Sequence, residues 1–373
     1  MGNAALDIIK EIVFHNRDRH GIPPMDGPFH PNDLLDEVDV FSDTMKDIDD
    51  IAINEKGDIY VSSGNTIVRL NGSSGQRETV FAQFDTKVGG INFHPDGRLM
   101  ACVSRKGLVI IGNDGKQTWI TTADGQTILC PTTAVADRNG KIYIADGSTY
   151  HDPQNWVRDL MEKRKAGRLI IYEPHTGKSH VLLSELSYPY GLAITNDGQD
   201  LLITESWSHT LSSYKLNDIR KQSRKLLIPN LPGYPARIVP SLVGGYWMCL
   251  FALRTGLIEL VLSENTYRKK MMETIENTAH WVAPALSSGD DILEYSQAGR
   301  MKVFGILKPY APSRSYGLVV ELDEECEPIR SLQSRVGGRR HGITGISQHG
   351  NNLYIVSKGN NKILKLNTGK EVG

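Results

Sequence analysis

The side chains of this 373-residue chain that could do chemistry stand far apart in sequence. Asp49 and Asp50 are adjacent acids, and either becomes a general base where desolvation raises its pKa. Tyr190 offers a phenol able to donate to a developing oxyanion. Arg237 offers a planar fork, better matched than lysine to a carboxylate or another anionic oxygen. His341 is the histidine best placed for proton transfer near neutral pH. His151-Asp152 lies in a loop that can reach a site from outside. No G-x-S-x-G elbow, P-loop or dinucleotide fingerprint is visible. These residues suit acid–base work on a small molecule, and they need a fold that gathers them.

A repeat supplies that fold. From Asp47 onward the chain runs six times through a strand, a glycine-bearing turn, a second strand, a loop and a third strand. Asp50-Ile51-Ala52-Ile53 turns at Gly57 into Ile59-Tyr60-Val61. Gly191 to Thr195 turns through Asn196-Asp197-Gly198 into Asp200 to Glu205. Such turns tolerate positive φ and join antiparallel neighbours. One sheet alone leaves open edges and bare faces, whereas six stacked around an axis bury both faces. The pattern predicts an all-β, six-bladed β-propeller over residues 47–373. A short helix (Leu6, Ile9, Ile12 and Val13 at helical spacing) and a Pro-rich arm precede it over 1–46. The residues just ahead of each first strand should face the shared axis. Insertions at about 147–165 and 254–316 interrupt the period, and long insertions in a compact repeat are commonly functional lids.

Composition narrows the partners. A formal net charge of −1 argues against nucleic acid and anionic membrane surfaces. The four cysteines are scattered without C-x-x-C spacing, which argues against a zinc site and a disulfide scaffold. No apolar stretch is long enough to span a bilayer, and no signal-length apolar run opens the chain. The expectation is a cytoplasmic protein with a small-molecule substrate, no nucleic-acid or membrane partner, and an oligomeric state the sequence does not give.

Ala166-Gly167-Arg168-Leu169, Tyr188-Pro189-Tyr190-Gly191-Leu192 and Thr204-Glu205-Ser206-Trp207 are the most specific segments. With Asn230 to Pro235, Gly244-Gly245-Tyr246-Trp247 and Leu353-Tyr354-Ile355, they make the chain resemble the strictosidine-synthase-like branch of the six-bladed propellers. That branch is related to the gluconolactonase/senescence-marker-protein group and the paraoxonases. In the metal-dependent relatives a calcium-class ion sits in the tunnel on Glu, Asn and Asp oxygens, where it polarises the substrate. Carried over, the first-blade acids are kept as Asp49-Asp50. The second-blade position is Gly89, the third-blade pair Thr132-Thr133, the fourth-blade residue Tyr190 and the fifth-blade pair Ala236-Arg237.

One acidic site thus survives, and a guanidinium enters it. No cofactor is expected, and a calcium or other divalent ion on Asp49 and Asp50 is the weaker alternative. Arg237 either substitutes for the ion or presents its fork to substrate. Strictosidine synthase itself is metal-free and uses a last-blade Glu, but the matching position here is Thr344. The resemblance therefore implies a kept scaffold with a rebuilt centre. Its catalytic candidates are Asp49, Asp50, Tyr190 and His341, and its substrate-contacting candidates are Arg237, Thr132, Thr133, His151, Trp207 and Thr344. The implied activity is hydrolysis of a lactone, ester or related bond, or a lyase or cyclase reaction. The alternative is a catalytically silent propeller that binds a ligand or a protein.

Overall fold

Gly198, at φ 71°, closes the tight turn between Pro189–Ile194 and Asp200–Glu205, and equivalent turns recur through the chain. The computed structural model describes residues 21–219, 223–288 and 314–369, with the backbone of 302–303 and 306–307. Among these residues, six four-stranded antiparallel sheets form the blades of a β-propeller. The innermost strands are Ile48–Ile53, Val88–Phe93, Pro131–Ala136, Pro189–Ile194, Gly233–Pro240 and Ile343–His349. Each lies against the next and the sixth lies against the first, so the ring closes.

Closure uses the N-terminal side of the chain. Asp39–Ser42 is the outer strand of the last blade, with Asp39 opposite Lys365 and Val40 opposite Leu364. The ring therefore takes in residues upstream of 47, because an antiparallel pairing ties its two ends together without a covalent link. The Pro-rich arm before it contributes a 3-10 turn at Gly27–Phe29 and one helical turn at Leu34–Glu37. The helix expected from Leu6 to Val13 lies outside the described residues.

The fifth blade is completed across the long insertion, where Tyr246–Leu253 pairs with Gly317–Leu322. That insertion holds two helices, Gly256–Ser263 and Asn265–Thr274. The first insertion holds the helix Trp156–Glu162. Leu160 and Met161 of the first share one apolar cluster with Val261, Met271 and Trp281 of the second. Burying these faces against each other fixes both insertions over one end of the ring. None of the described helices is long and apolar enough to cross a membrane.

Candidate active site at the tunnel mouth

Every innermost strand carries a register shift near its start, at the same place in each blade. The shifts fall between Ile48 and Ile51, Val88 and Ile91, Pro131 and Thr133, Pro189 and Gly191, Pro235 and Ile238, and Ile343 and Gly345. A bulge adds an unpaired residue and re-aims side chains. The bulged residues are Asp49-Asp50, Gly89-Gly90, Thr132, Tyr190, Ala236-Arg237 and Thr344. Six repeats of one backbone irregularity thus bring most of the candidate residues to one axis. Packing there is tight: a Cβ on Gly345 would stand 2.7 Å from Asp50 Oδ1, so that position admits only glycine.

Arg237 occupies the centre, 4 % exposed. Its Nη2 donates to Asp49 Oδ2 at 2.6 Å and to the Thr132 carbonyl at 3.1 Å. Its Nη1 donates to the carbonyls of Thr344 at 3.0 Å and Asp49 at 3.2 Å. Nε lies 3.0 Å from Asp50 Oδ2, and the guanidinium stands 5.1 Å from the Tyr190 ring centroid. Both terminal nitrogens of the fork are thus spent on the protein's own oxygens, while Nε lies near Asp50 without hydrogen-bond geometry. Of the two readings for Arg237, these contacts carry the structural one, and the residue also lines the cavity.

The two acids part ways electrostatically. Burial alone would raise Asp49, yet the Lys358 ammonium and the Arg237 guanidinium outweigh it and hold the carboxyl well below the usual range. A carboxylate held that low is a weak base, so Asp49 serves as an anchor and not as the expected proton acceptor. Asp50 is dominated by burial, which pushes it up to about 7 against the pull of Arg237. Its Oδ2 accepts from the Ile91 amide at 2.9 Å, while its Oδ1 has no partner. Asp50, expected as a catalytic base, is not part of the cavity wall. Burial, aided by Asp49, keeps the Tyr190 phenol protonated far above its ordinary range, and it remains a donor.

Above this floor lies a cavity of about 250 Å³. Asp49, Thr132, Tyr190, Trp207, Arg237 and Thr344 all line it. Thr132 and Thr344 contribute little free polarity, because their hydroxyls donate to the carbonyls of Pro189 at 2.8 Å and Asp49 at 2.7 Å. Thr133 is buried in the strand and does not line the cavity. One wall is aromatic: Trp207 lies 4.4 Å from Tyr188 and 6.1 Å from Trp156, ring centre to ring centre. Trp156 belongs to the first insertion, and its helix also grips the wall, since Trp207 Nε1 donates to Asp159 at 2.7 Å. Leu286 of the second insertion completes the cover.

Two histidines fall elsewhere. His341 is tied by both ring nitrogens, Nδ1 at 2.7 Å from the Ser315 hydroxyl and Nε2 at 3.1 Å from the Arg335 carbonyl. The carbonyl only accepts, so Nε2 carries a proton, and burial lowers the pKa of the ring. It does not reach the cavity and is no candidate for proton transfer there. His151 pairs with Glu162 at 2.9 Å inside the insertion and is likewise not a lining residue.

Sequence reasoning missed Lys358, Tyr188 and Trp156. Lys358 pairs with Asp49 and lines the cavity. Tyr188, the residue ahead of the fourth inner strand, holds a left-handed backbone at φ 59° beneath Trp207. The missed signal was positional. Gly64, Ser104, Trp207 and Lys358 all lie just after the second strand of their blades, at the end of the ring where the inner strands begin.

A calcium-class ion does not fit these residues. The oxygens that would ligate it are already gathered around Arg237, and no group of three or more His, Cys, Asp or Glu side chains among the described residues could hold a metal.

A sequence model described as strictosidine synthase matches residues 132–218, the third blade and most of the fourth. A strictosidine synthase-like protein of Arabidopsis thaliana is 32% identical over 182 residues, covering 48% of each chain. The adipocyte plasma membrane-associated protein of Bos taurus is 26% identical over 277 residues, covering 72% of this chain and 60% of its own length. The matches to the Arabidopsis relatives span about half of those proteins. Among solved structures, a gluconolactonase from Xanthomonas campestris superposes with a TM-score of 0.56 at 13% identity, over 87% of both chains. A regucalcin from Agrobacterium tumefaciens, described as calcium-binding, gives 0.55 at 13% identity, over 88% of this chain and 92% of its own. At such identities the structures speak for the fold alone.

Proposed function

We propose, for a chain that belongs to the six-bladed propeller superfamily of the strictosidine synthase-like proteins and gluconolactonases, that the tunnel-mouth cavity is the active site of a small-molecule enzyme working without calcium. Its reaction is the opening of a lactone, ester or related bond. The observation that supports this reading is the pairing of an aromatic wall with a Lys358–Asp49 ion pair at the floor. Lys358 and the Tyr190 phenol are donors placed to stabilise an oxyanion in a cavity partly covered by the two insertions. Asp49 keeps Lys358 in position and offers remaining lone pairs to orient a water. A lyase or cyclase reaction would use the same donors. The four cysteines are buried free thiols, which suits a reducing cytoplasmic setting.

One observation favours a second reading, a propeller that binds without turning over. The two acids lining the cavity are both paired with lysines, Asp49 with Lys358 and Asp47 with Lys87 at 2.5 Å. No free base therefore lines the cavity among the described residues. A screen of lactones, aryl esters and amines separates the readings when melting shift and product formation are followed together. Shift with product supports the enzyme, and shift without product supports the binder.

A further inference from the structure

We infer that Arg237 is a built-in cation standing where a hard metal ion could stand, and that its removal uncovers a latent divalent-cation site at the tunnel mouth. The inference rests on the guanidinium's surroundings and is independent of any reaction in the cavity. Five oxygens face its nitrogens within 3.2 Å: the carbonyls of Asp49, Thr132 and Thr344 and the carboxylates of Asp49 and Asp50. They come from the first, third and sixth blades, while Arg237 itself comes from the fifth.

The donor set is the kind that hard cations of the calcium class take: carboxylate and carbonyl oxygens, with water completing the shell. Carbonyls at an inner-strand end are ordinarily used by the ladder. Here the bulges free those of Asp49, Thr132 and Thr344, and all three turn to one point. Charge gives the same answer. Asp49 and Asp50 are 6 % and 3 % exposed. Without Arg237 only the Lys358 ammonium would stand beside the pair. Two buried carboxylates, the freed carbonyls of Thr132 and Thr344, and an Asp49 carbonyl held otherwise only by the Thr344 hydroxyl make a strong demand for a cation. A side chain meets that demand permanently, whereas an ion must be acquired. The protein as it exists should therefore be indifferent to calcium.

The experiment compares the parent, Arg237→Ala and Arg237→Lys in thermal melts with calcium or chelator, and in terbium luminescence sensitised through Tyr190. The parent should melt at one temperature with calcium or chelator and should give no sensitised terbium signal. Arg237→Ala should melt lower by roughly 5–10 °C in chelator, as loss of one partner of a buried charge cluster does. Calcium should return at least about half of that loss, and calcium should also displace a saturable terbium signal. Arg237→Lys, which keeps a charge but loses the fork, should stay indifferent to calcium. A parent melt that calcium raises or chelator lowers would overturn the inference. So would a folded Arg237→Ala that binds neither calcium nor terbium. Should Arg237→Ala fail to fold in chelator, folding in calcium supports the inference, and failure in both overturns the latent site.

Discussion

At the scale of single residues the centre is ruled by how differently two adjacent acids are treated. Asp49 faces two cations and stays ionised, whereas Asp50 is buried with one oxygen unpaired and is pushed up to about 7. The sign of the stability effect follows. Between the ordinary aspartate value of 3.8 and about 7, folded Asp50 binds a proton that the unfolded chain has released. Stability therefore falls as pH rises through that window and levels off above it. Asp49 acts the other way, contributing stability that is lost only as pH drops below the ordinary aspartate range. Melting of the parent should decline between about pH 4.5 and 7 relative to Asp50→Asn, whose profile lacks this slope. Parallel profiles would show that Asp50 is ionised throughout. This division was not readable in Asp49-Asp50 as a dipeptide, because it depends on Lys358, more than 300 positions away, reaching one acid and not the other.

At the scale of elements, the repeat was legible because glycine turns and apolar strands leave a local trace. The turn at Asn196-Asp197-Gly198 and the pairing across the long insertion both stand as the pattern implied. The bulges were not legible, since an unpaired residue in a strand has no composition of its own. They decide which candidate faces the axis: Thr132 lines the cavity and Thr133 does not. The lid was visible only as an interruption, and its grip on the wall is a tertiary fact. The helix Trp156–Glu162 is held by the stack of Trp156 on Trp207 and by the Trp207 hydrogen bond to Asp159. Trp207→Phe keeps most of the apolar contact and leaves Asp159 buried without that donor. Unpairing such a group costs about 1–3 kcal/mol, so amide exchange in 156–162 should quicken by roughly tenfold or more while exchange in the second blade is unchanged. Equal exchange in both proteins would mean the helix is held by its apolar face alone.

At the scale of the whole molecule, closure and centre are separate devices. Closure is the pairing of Asp39–Ser42 with Lys362–Asn367, which gives the last blade its fourth strand from the other end of the ring. Removing residues up to 42 should lower the melting temperature and make the last blade the first to exchange its amides, and an unchanged melt would show that the ring holds without that strand. The centre is an arginine wired to three other blades beneath a covered aromatic cavity. A guanidinium in place of an ion, with Lys358 as the donor left for substrate, is the core of the proposal. Its most direct test is turnover of a lactone or ester taken from the screen, by chelator-treated parent and by Lys358→Met. The account predicts that the parent keeps its rate in chelator and that Lys358→Met, folded as the parent, loses about 100-fold or more in kcat. A rate that appears only with added divalent ion, or one that Lys358→Met retains, would contradict it.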